Sequence, residues 1–485
     1  MQDKDIIRLN RIEHGYVALE GLAGSALVST CFRLSGPVEL DQVRRALRQL
    51  VTACPKMRAL VEPGRHLYHL RVMPDGPLID QWVDQALVVD RHIDLEDPAQ
   101  LEAWQRSALN DQLPLEHGPL FMLRVVLDPE SPGFVFATPH LIGDGLTSAY
   151  MTHLLIRGLN GMSMDPMPIE APSLVDAIKP EKWWQWPAQM WKSRQHKVEE
   201  KRRLAQLKIL QLPTEPTPHY TSTGYRLSEV TMGADQMRRA AKKAGVSMNC
   251  MMVAAVAQTF LDQSPDDPRA AAVIRISIDM RRFYPKEDKH GPLWGNHVGA
   301  YLVIEQDQRK TTQARLQSID AQLKEGIARY ARREMCWGYL FDEIGPYLGR
   351  TLIGHIAVQL KRKNRFPKIS MHVTNGGNLN MINVPGQPLS IVWGCSTTFS
   401  ASPLCATMEI SGHYYAPITW QMAETPEPAI AEFHRRLDVN LSRMARDILD
   451  DAAYVPIPKG GLSLRAGPTP HTAAGHRCSG RGSSP

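Results

Sequence analysis

The stretch Gly133-Phe-Val-Phe-Ala-Thr-Pro-His140-Leu-Ile-Gly-Asp144-Gly145-Leu-Thr-Ser-Ala-Tyr150 carries the clearest structural and chemical signal in the sequence. It opens with a short apolar run, which predicts a buried strand ending at Pro139. From Leu146 onward the apolar residues have the spacing of one face of a helix. The corner between strand and helix carries an imidazole and a carboxylate, and we expect Gly143 and Gly145 to accommodate strained backbone angles there.

Two interpretations of this corner follow from the residues alone. His140, at the end of a strand, can project into a cleft, where a pKa near neutrality allows it to accept a proton. A structural histidine followed by Asp144 as the N-cap of a helix would give the same string. The choice between a catalytic and a structural histidine therefore depends on the rest of the chain.

The composition excludes several classes of protein. The 485 residues are enough for two domains, and a formal net charge of +6 with 22% charged residues does not indicate a nucleic-acid partner. No segment has the apolar length of a transmembrane helix, and the polar N-terminus lacks the apolar region of a signal peptide. We therefore expect a cytoplasmic protein.

Motifs for bound metals and nucleotides are missing from the sequence. The seven cysteines are odd in number and form no Cys-x-x-Cys pair, which predicts neither a zinc site nor a disulfide framework. There is also no phosphate-binding Gly-Lys-Ser/Thr loop, no Gly-x-Gly-x-x-Gly and no His-Glu-x-x-His. We expect no metal and no permanently bound cofactor.

Periodicity and composition divide the chain into four parts. Residues 1–175 alternate strand and helix patterns and predict a mixed α/β domain that carries the His140 corner. Residues 176–218 are rich in proline and read as an inter-domain crossover, and residues 219–457 repeat the α/β mixture. Residues 458–485 are rich in Gly, Pro, Ser and Arg, which predicts a disordered tail.

The crossover has an unusual aromatic and basic content. Trp183, Trp184, Trp186 and Trp191 precede a charged run at 197–208. Tryptophans beside lysines and arginines suit a helix that lies at a membrane interface, which would make the protein peripheral to the membrane. A linker whose tryptophans pack on the two domains has the same composition, and we favour the packed linker.

At this point the motifs resemble those of a known superfamily, the two-domain acyltransferases built on the chloramphenicol acetyltransferase fold. It includes non-ribosomal peptide condensation domains, phthiocerol dimycocerosyl transferases and wax ester synthase/diacylglycerol acyltransferases. His140, Asp144 and Gly145 are similar to its His-x-x-x-Asp-Gly motif in type, spacing and strand-to-helix context. Weaker similarities to the wax ester synthase group occur at 54–58, 245–249, 276–281, 295–299 and 374–377.

Two departures from the family patterns leave the subfamily open. Pro139 stands where condensation domains and wax ester synthases carry the first His of a doubled His-His. The Asp-Phe-Gly-Trp-Gly motif of the plant branch is missing from the sequence. The acyl chain and the acceptor are therefore not specified by the resemblance.

The resemblance implies a fold and a set of residue roles. Two chloramphenicol acetyltransferase-like α/β domains with mixed sheets would form a pseudo-dimer with the active-site tunnel between them. His140 would be the general base, Asp144 would pair with Arg58 to hold the shape of the loop, and Gly145 would support the same loop. The candidates for stabilising the oxyanion or binding substrate are Asn296, Asn375, Ser396 and Arg281.

The same resemblance implies the substrates. We expect an O-acyltransferase that uses an acyl thioester of coenzyme A or of a phosphopantetheinyl carrier protein, and an alcohol of lipid or secondary metabolism as acceptor. One alternative is an amide-forming, condensation-type enzyme with an amine acceptor and a carrier-bound donor. A second alternative is a non-catalytic, condensation-like docking module.

Overall fold

The computed structural model describes residues 5–23, 26–64, 67–167, 174–284, 294–334, 345–452 and 454–457. The predicted disordered tail at 458–485 lies outside the described residues. The elements of the first half are β1 (Ile6–Arg8), α1 (Arg11–Ala23), β2 (Leu27–Leu34), α2 (Leu40–Ala53), β3 (Ala59–Pro63), β4 (Tyr68–Val72), α3 (Pro77–Ala86), β5 (Leu87–Val89), α4 (Pro98–Leu109), β6 (Met122–Val126), β7 (Gly133–Pro139) and α5 (Gly145–Leu159).

A connecting region leads from these elements into the second half of the chain. It contains α6 (Val175–Ile178) and α7 (Trp186–Ala205). The elements that follow are β8 (Lys208–Ile209), β9 (Thr223–Arg226), α8 (Ala234–Ala244), α9 (Met248–Leu261), β10 (Ala270–Asp279), β11 (Val298–Gln306), α10 (Thr312–Ala331), α11 (Gly349–Arg362), β12 (Met371–Asn378), β13 (Ile391–Thr398), β14 (Leu404–Ile410), β15 (His413–Tyr415), β16 (Ile418–Gln421) and α12 (Glu427–Asp450).

Several helices begin at residues whose side chains satisfy free backbone N–H groups. Asp97 accepts a hydrogen bond from the Ala99 amide before α4, and Thr311 accepts one from the Ala314 amide before α10. Ser247 accepts from the amide of Cys250 at the start of α9. These caps explain why the helices start where they do.

The first lobe is built around a mixed sheet with the strand order β13-β2-β7-β6-β5 and a small sheet β1-β4-β3. Strand β7 is buried along its whole length between β2 and β6. A strand with both faces covered is expected to be largely apolar, and the run before His140 has Thr138 as its one polar side chain. Because β7 is the middle strand, the His140 corner lies at the end of the central strand of this sheet.

The second lobe contains a larger mixed sheet with the order β11-β10-β12-β14-β16-β9, to which β8 and β15 add at the side. Strand β10 pairs antiparallel with β11 and parallel with β12. Helices α8, α9, α10 and α12 contribute buried residues to the core of this lobe. The mixed α/β character predicted for both halves is therefore present.

Strand β13 links the two lobes. Although it belongs to the second half of the sequence, it pairs antiparallel with β2, with Cys395 opposite Cys31. The sheet of the first lobe thus includes a strand from residues 219–457, the range predicted as the second domain. The boundary at the crossover divides the sequence but does not separate the two sheets.

The tryptophans of the connecting region do not pack as the favoured prediction required. Trp183, Trp184 and Trp191 are 79%, 59% and 58% exposed, and Trp186 is partly buried. Along the 20 residues of α7, Ser193 is the buried residue that the structure records. The prediction of tryptophans packed on two domains is wrong for the three exposed rings, because no described element covers them.

Among the described helices, no single one is long and apolar enough to cross a membrane. Helices α8 and α9 meet the length and composition criteria only when they are taken together, across a bend of 94°. Helix α9 is buried from Cys250 to Leu261 in the core of the second lobe.

Candidate active site

The His140 imidazole lies at the end of β7, where the two lobes meet. The His140 main-chain N–H donates to Ala26 O at 2.7 Å, which extends the β2–β7 pairing to the corner. The imidazole is stacked on the Tyr16 ring with a centroid distance of 4.3 Å, and His140 is 7% exposed. Backbone pairing and ring stacking therefore fix the position of this histidine.

The two glycines of the corner do not act through strained backbone angles as predicted. Neither Gly143 nor Gly145 has a positive φ. A Cβ on Gly143 would lie 2.4 Å from the Thr147 methyl group, whereas a Cβ on Gly145 would meet open space. Gly143 is thus required by close packing of the corner against α5, and the prediction of backbone strain is wrong.

The imidazole of His140 makes its side-chain hydrogen-bond contacts through Nδ1. Nδ1 lies 2.9 Å from Gly143 O and 2.8 Å from the amide nitrogen of Asn296. A carbonyl oxygen can only accept, so the tautomer that bonds to Gly143 has its proton on Nδ1 and a lone pair on Nε2. The side-chain Nδ2 of Asn296 can only donate, so a hydrogen bond from it to Nδ1 requires the opposite tautomer, with the proton on Nε2.

Nε2 of His140 has no hydrogen-bond partner among the described residues. Burial lowers the pKa of His140 below its ordinary value, so the ring is neutral at neutral pH. An imidazole that is neutral, anchored through Nδ1 and unpaired at Nε2 has the geometry of a general base.

Asp144 holds the corner together from the other side. As the N-cap of α5 it accepts from the Thr147 amide at 3.0 Å, and its second oxygen accepts from the His297 amide at 2.9 Å. Arg281 donates two further bonds, at 2.8 and 3.1 Å. Burial alone would raise the pKa of Asp144, but Arg281 and the amide donors outweigh it and hold the pKa well below its usual range.

The prediction that Arg58 pairs with Asp144 is wrong. Arg58 lies next to β3, and its Nη1 donates to Met73 O at 2.8 Å, beside the small sheet. Arg281 fills the predicted role, although it lies 137 residues from Asp144 in the sequence. Arg281 was predicted as a substrate-binding candidate, but its Nη2 also donates to Gly295 O at 2.9 Å, which makes it part of the scaffold.

The segment 295–297 of the second lobe lies against the corner. The side-chain Nδ2 of Asn296 donates to the main-chain oxygen of His140 at 3.1 Å, and Gly295 O accepts from Thr147 Oγ1 at 2.8 Å. Gly295 has a φ of +129°, and a Cβ there would lie 2.8 Å from Glu13 Oε1. The left-handed backbone and the close approach of a carboxylate both require glycine at this position.

Helix α1 supplies functional residues that the sequence analysis missed. Glu13 Oε1 accepts from the main-chain N–H of Asn296 at 3.1 Å and from Lys56 Nζ at 2.8 Å, and all three residues are buried. Asn10 Nδ2 donates to Asn296 O at 2.9 Å. No local pattern predicts these contacts, because Glu13 and Asn296 lie 283 residues apart.

The remaining candidates have other partners. Ser396 Oγ, on β13, accepts from Thr30 Oγ1 at 3.1 Å. Asn375 is exposed, and its Oδ1 accepts from the Gly377 amide at 2.8 Å in a local turn. In the described part of the chain Asn296 is hydrogen-bonded to His140, whereas the recorded side-chain hydrogen bonds of Ser396 and Asn375 join them to other residues.

Cysteines and metal ligands add no further chemistry to this region. The free cysteines Cys31, Cys54, Cys250, Cys395 and Cys405 are buried. Within the ranges that the structure describes, no group of three or more His, Cys, Asp or Glu side chains is arranged to hold a metal ion.

Comparisons with known proteins place this geometry in context. No protein-family model matches the sequence, and no curated protein matches it. Among solved structures, the TRI3 trichothecene 15-O-acetyltransferase of Fusarium sporotrichioides matches with a TM-score of 0.64 at 12% identity, over 92% of this chain and 96% of that chain. The first condensation domain of the CDA synthetase matches with a TM-score of 0.64 at 14% identity, over 92% of this chain and 98% of that chain.

This chain has the two-lobed fold of condensation-type acyltransferases. The epimerization domain from the third module of tyrocidine synthetase B also matches, with a TM-score of 0.56 at 14% identity over 92% of this chain and 97% of that chain. The predicted condensation-type fold, with two mixed α/β lobes, is confirmed at this level. The more specific likeness to wax ester synthases is not confirmed by these structures.

Proposed function

We propose that the protein is an acyltransferase that moves an acyl group from a thioester to a hydroxyl acceptor, with His140 as the general base. The observation that carries the proposal is that the buried His140 ring makes its contacts through Nδ1, so that in the tautomer bonded to Gly143 O the lone pair of Nε2 is unpaired where the lobes meet. Base catalysis of this kind contributes about 10²- to 10⁴-fold to a rate. The donor is an acyl thioester of coenzyme A or of a phosphopantetheinyl carrier protein, and the acceptor is a lipid or secondary-metabolite alcohol.

In the proposed reaction one proton moves from the acceptor hydroxyl to the departing thiolate through His140. The acceptor hydroxyl gives its proton to Nε2 as its oxygen attacks the thioester carbonyl, which forms a tetrahedral oxyanion. Collapse of this intermediate breaks the carbon–sulfur bond, and the imidazolium returns the proton to the departing thiolate. Asp144 and Arg281 take no part in these transfers, because they are bonded to each other and to the backbone of the corner.

The fold is compatible with this chemistry without specifying the substrate. TRI3 is an O-acetyltransferase, whereas the other two structures are a condensation domain and an epimerization domain. Amide formation with a carrier-bound donor therefore remains the main alternative, and a non-catalytic docking module is the second. Donor and acceptor preference distinguishes among the three.

The test is thioester consumption by the full chain. Purified protein is mixed with acyl-coenzyme A donors of short to long chain and with pooled alcohols and amines, and free thiol is measured. His140→Ala should abolish acceptor-dependent thiol release, while His92→Ala, at an exposed position, should leave it unchanged. Activity that persists in folded His140→Ala would refute the role of His140. Turnover with amines alone, or with carrier-bound donors alone, would select the amide-forming alternative.

We also propose that this is a cytoplasmic protein that contacts membranes peripherally through its connecting region. The three exposed tryptophans lie beside basic residues, and Lys182 Nζ lies 5.2 Å from the centroid of the Trp184 ring. Indole rings favour the headgroup region, and lysines and arginines add attraction to anionic lipids. A lipophilic substrate would be reached from such a surface.

Vesicle flotation tests this contact. The full chain should float with vesicles that contain phosphatidylserine, and replacement of Trp183, Trp184 and Trp191 by Ala should abolish flotation. Val439→Ala, at a 52% exposed site on α12, is the matched control and should float as the unsubstituted protein does. Equal flotation of the triple variant would overturn the proposal.

A further inference from the structure

One face of strand β10 leads away from the His140 corner. Ile274, Ile276 and Ile278 are buried in the core of the second lobe, so the alternate residues Arg275, Ser277 and Asp279 point to the opposite face. Asp279 lies at the end nearest the corner, because its carboxylate accepts from Arg281 Nη1 at 3.1 Å. Arg275 is four residues earlier, which corresponds to about 13 Å along the strand.

Arg275 carries a charge that no described residue neutralises. Its side chain has no hydrogen bond or ion pair within the described part of the chain and is exposed, although β10 is an interior strand of the sheet. Burial in the protein raises the pKa of Tyr16, which stacks on His140, to about 12, and the charge of Arg275 opposes that rise. The guanidinium is therefore close enough to Tyr16 to interact with it electrostatically.

A histidine on the neighbouring strand adds a second polar group. His372 of β12 lies opposite Arg275 in the parallel register, and its Nε2 is 2.8 Å from Ser277 Oγ. Burial, with smaller contributions from Arg275 and His140, lowers the pKa of His372 to about 3. The ring is therefore neutral, and when Ser277 donates to Nε2, the Nδ1–H group is a hydrogen-bond donor.

We propose that Arg275 and His372 form a subsite for a carboxylate carried by one of the two substrates. The guanidinium offers two parallel N–H groups in the geometry that a carboxylate accepts. One cation beside a neutral imidazole matches a single negative charge better than a phosphate, which carries a charge of about −1.5 to −2 at neutral pH. The role of the subsite in acyl transfer rests on the proposed function, but its affinity for a carboxylate does not.

The experiment compares ligands that differ by one carboxylate. Isothermal titration of the full chain uses lactate, 4-hydroxybenzoate and ricinoleate against their methyl esters as acceptor probes, and succinyl-coenzyme A against butyryl-coenzyme A as donor probes. We expect at least one acid to bind about tenfold or more tightly than its neutral counterpart, because charge-assisted hydrogen bonds to a guanidinium are stronger than neutral ones. The arm in which the preference appears identifies the substrate that carries the carboxylate.

Variants separate this subsite from the catalytic proposal. Arg275→Gln should remove the preference while the neutral ligand binds as before, and Arg275→Lys should restore part of it. Arg435→Gln, an exposed arginine on α12, is the matched control and should change nothing. His140→Ala should keep the preference, so a protein without acyltransferase activity still tests the subsite. Equal binding of acids and neutral counterparts, or a preference that survives Arg275→Gln, would overturn the inference.

Discussion

Removal of the Asp144 carboxylate should destabilise the protein strongly, because this side chain anchors both lobes. Asp144→Ala deletes four accepted hydrogen bonds and leaves the Arg281 side chain, 10% exposed, without its main partner. Breaking a buried ion pair from one side costs about 3–5 kcal/mol. Arg281 retains Asp279 and Gly295 O, which places the ion-pair loss at about 3 kcal/mol, and loss of the helix cap adds about 1 kcal/mol.

Urea denaturation of a double-mutant cycle and one control variant measures this effect. The free energy of unfolding is compared for the unsubstituted chain, Asp144→Ala, Arg281→Ala and the double variant. The double variant should lose less than the sum of the two single variants, with a coupling energy of about 2 kcal/mol for residues in direct contact. Asp84→Ala, at an exposed pair with Arg44, is the control and should unfold as the unsubstituted chain does. An Asp144→Ala protein of normal stability that has lost only its activity would refute the structural role of Asp144.

Three further outcomes follow from the same geometry. Because burial lowers the pKa of His140, kcat/KM should rise with pH with a midpoint below the ordinary histidine value of about 6.5, and a midpoint above that value would contradict the neutral base. The depressed pKa of Asp144 means that its stabilisation is present above about pH 3.9 and is lost as pH falls through the folded-state value, so Asp144→Ala should flatten the acid limb of stability. Gly15→Ala should raise the melting temperature, because alanine favours a helix more than glycine does and its Cβ would meet open space on α1. Gly326→Ala should lower it, because the added Cβ would lie 2.3 Å from the Tyr301 ring. Equal effects of the two substitutions on the melting temperature would argue against this packing.

The parts of this fold that depend on neighbouring residues could be predicted from the sequence. The sequence pattern at 26–34 predicts a strand, and β2 occupies Leu27–Leu34; the pattern at 309–332 predicts a long polar helix, and α10 occupies Thr312–Ala331. Strand alternation, helix spacing and end caps are set within a few residues, so they are visible in a single sequence. The strand-to-helix corner at His140 belongs to this class.

Contacts between distant segments could not be predicted in the same way. Helix α1 mixes glycines and charged residues without an apolar stripe, so no helix was expected there, yet it supplies Tyr16 and Glu13. The carboxylate of Glu13 is buried because Lys56 lies against it, and such a pair is visible only after folding. The prediction that Arg58 is the ion-pair partner of Asp144 was wrong for the same reason. Arg281 comes close to Asp144 only when the two lobes pack together.

The distribution of these contacts constrains how substrates reach the candidate base. Asp144 belongs to the first lobe, but Arg281 and the His297 amide that bind it come from the second, and Asn296 joins His140 to Glu13 of α1. Separation of the lobes at this point would break an ion pair and several buried hydrogen bonds at once, at a cost of several kcal/mol. A movement that admits a donor or an acceptor therefore costs least when it leaves the contacts of the His140 corner intact.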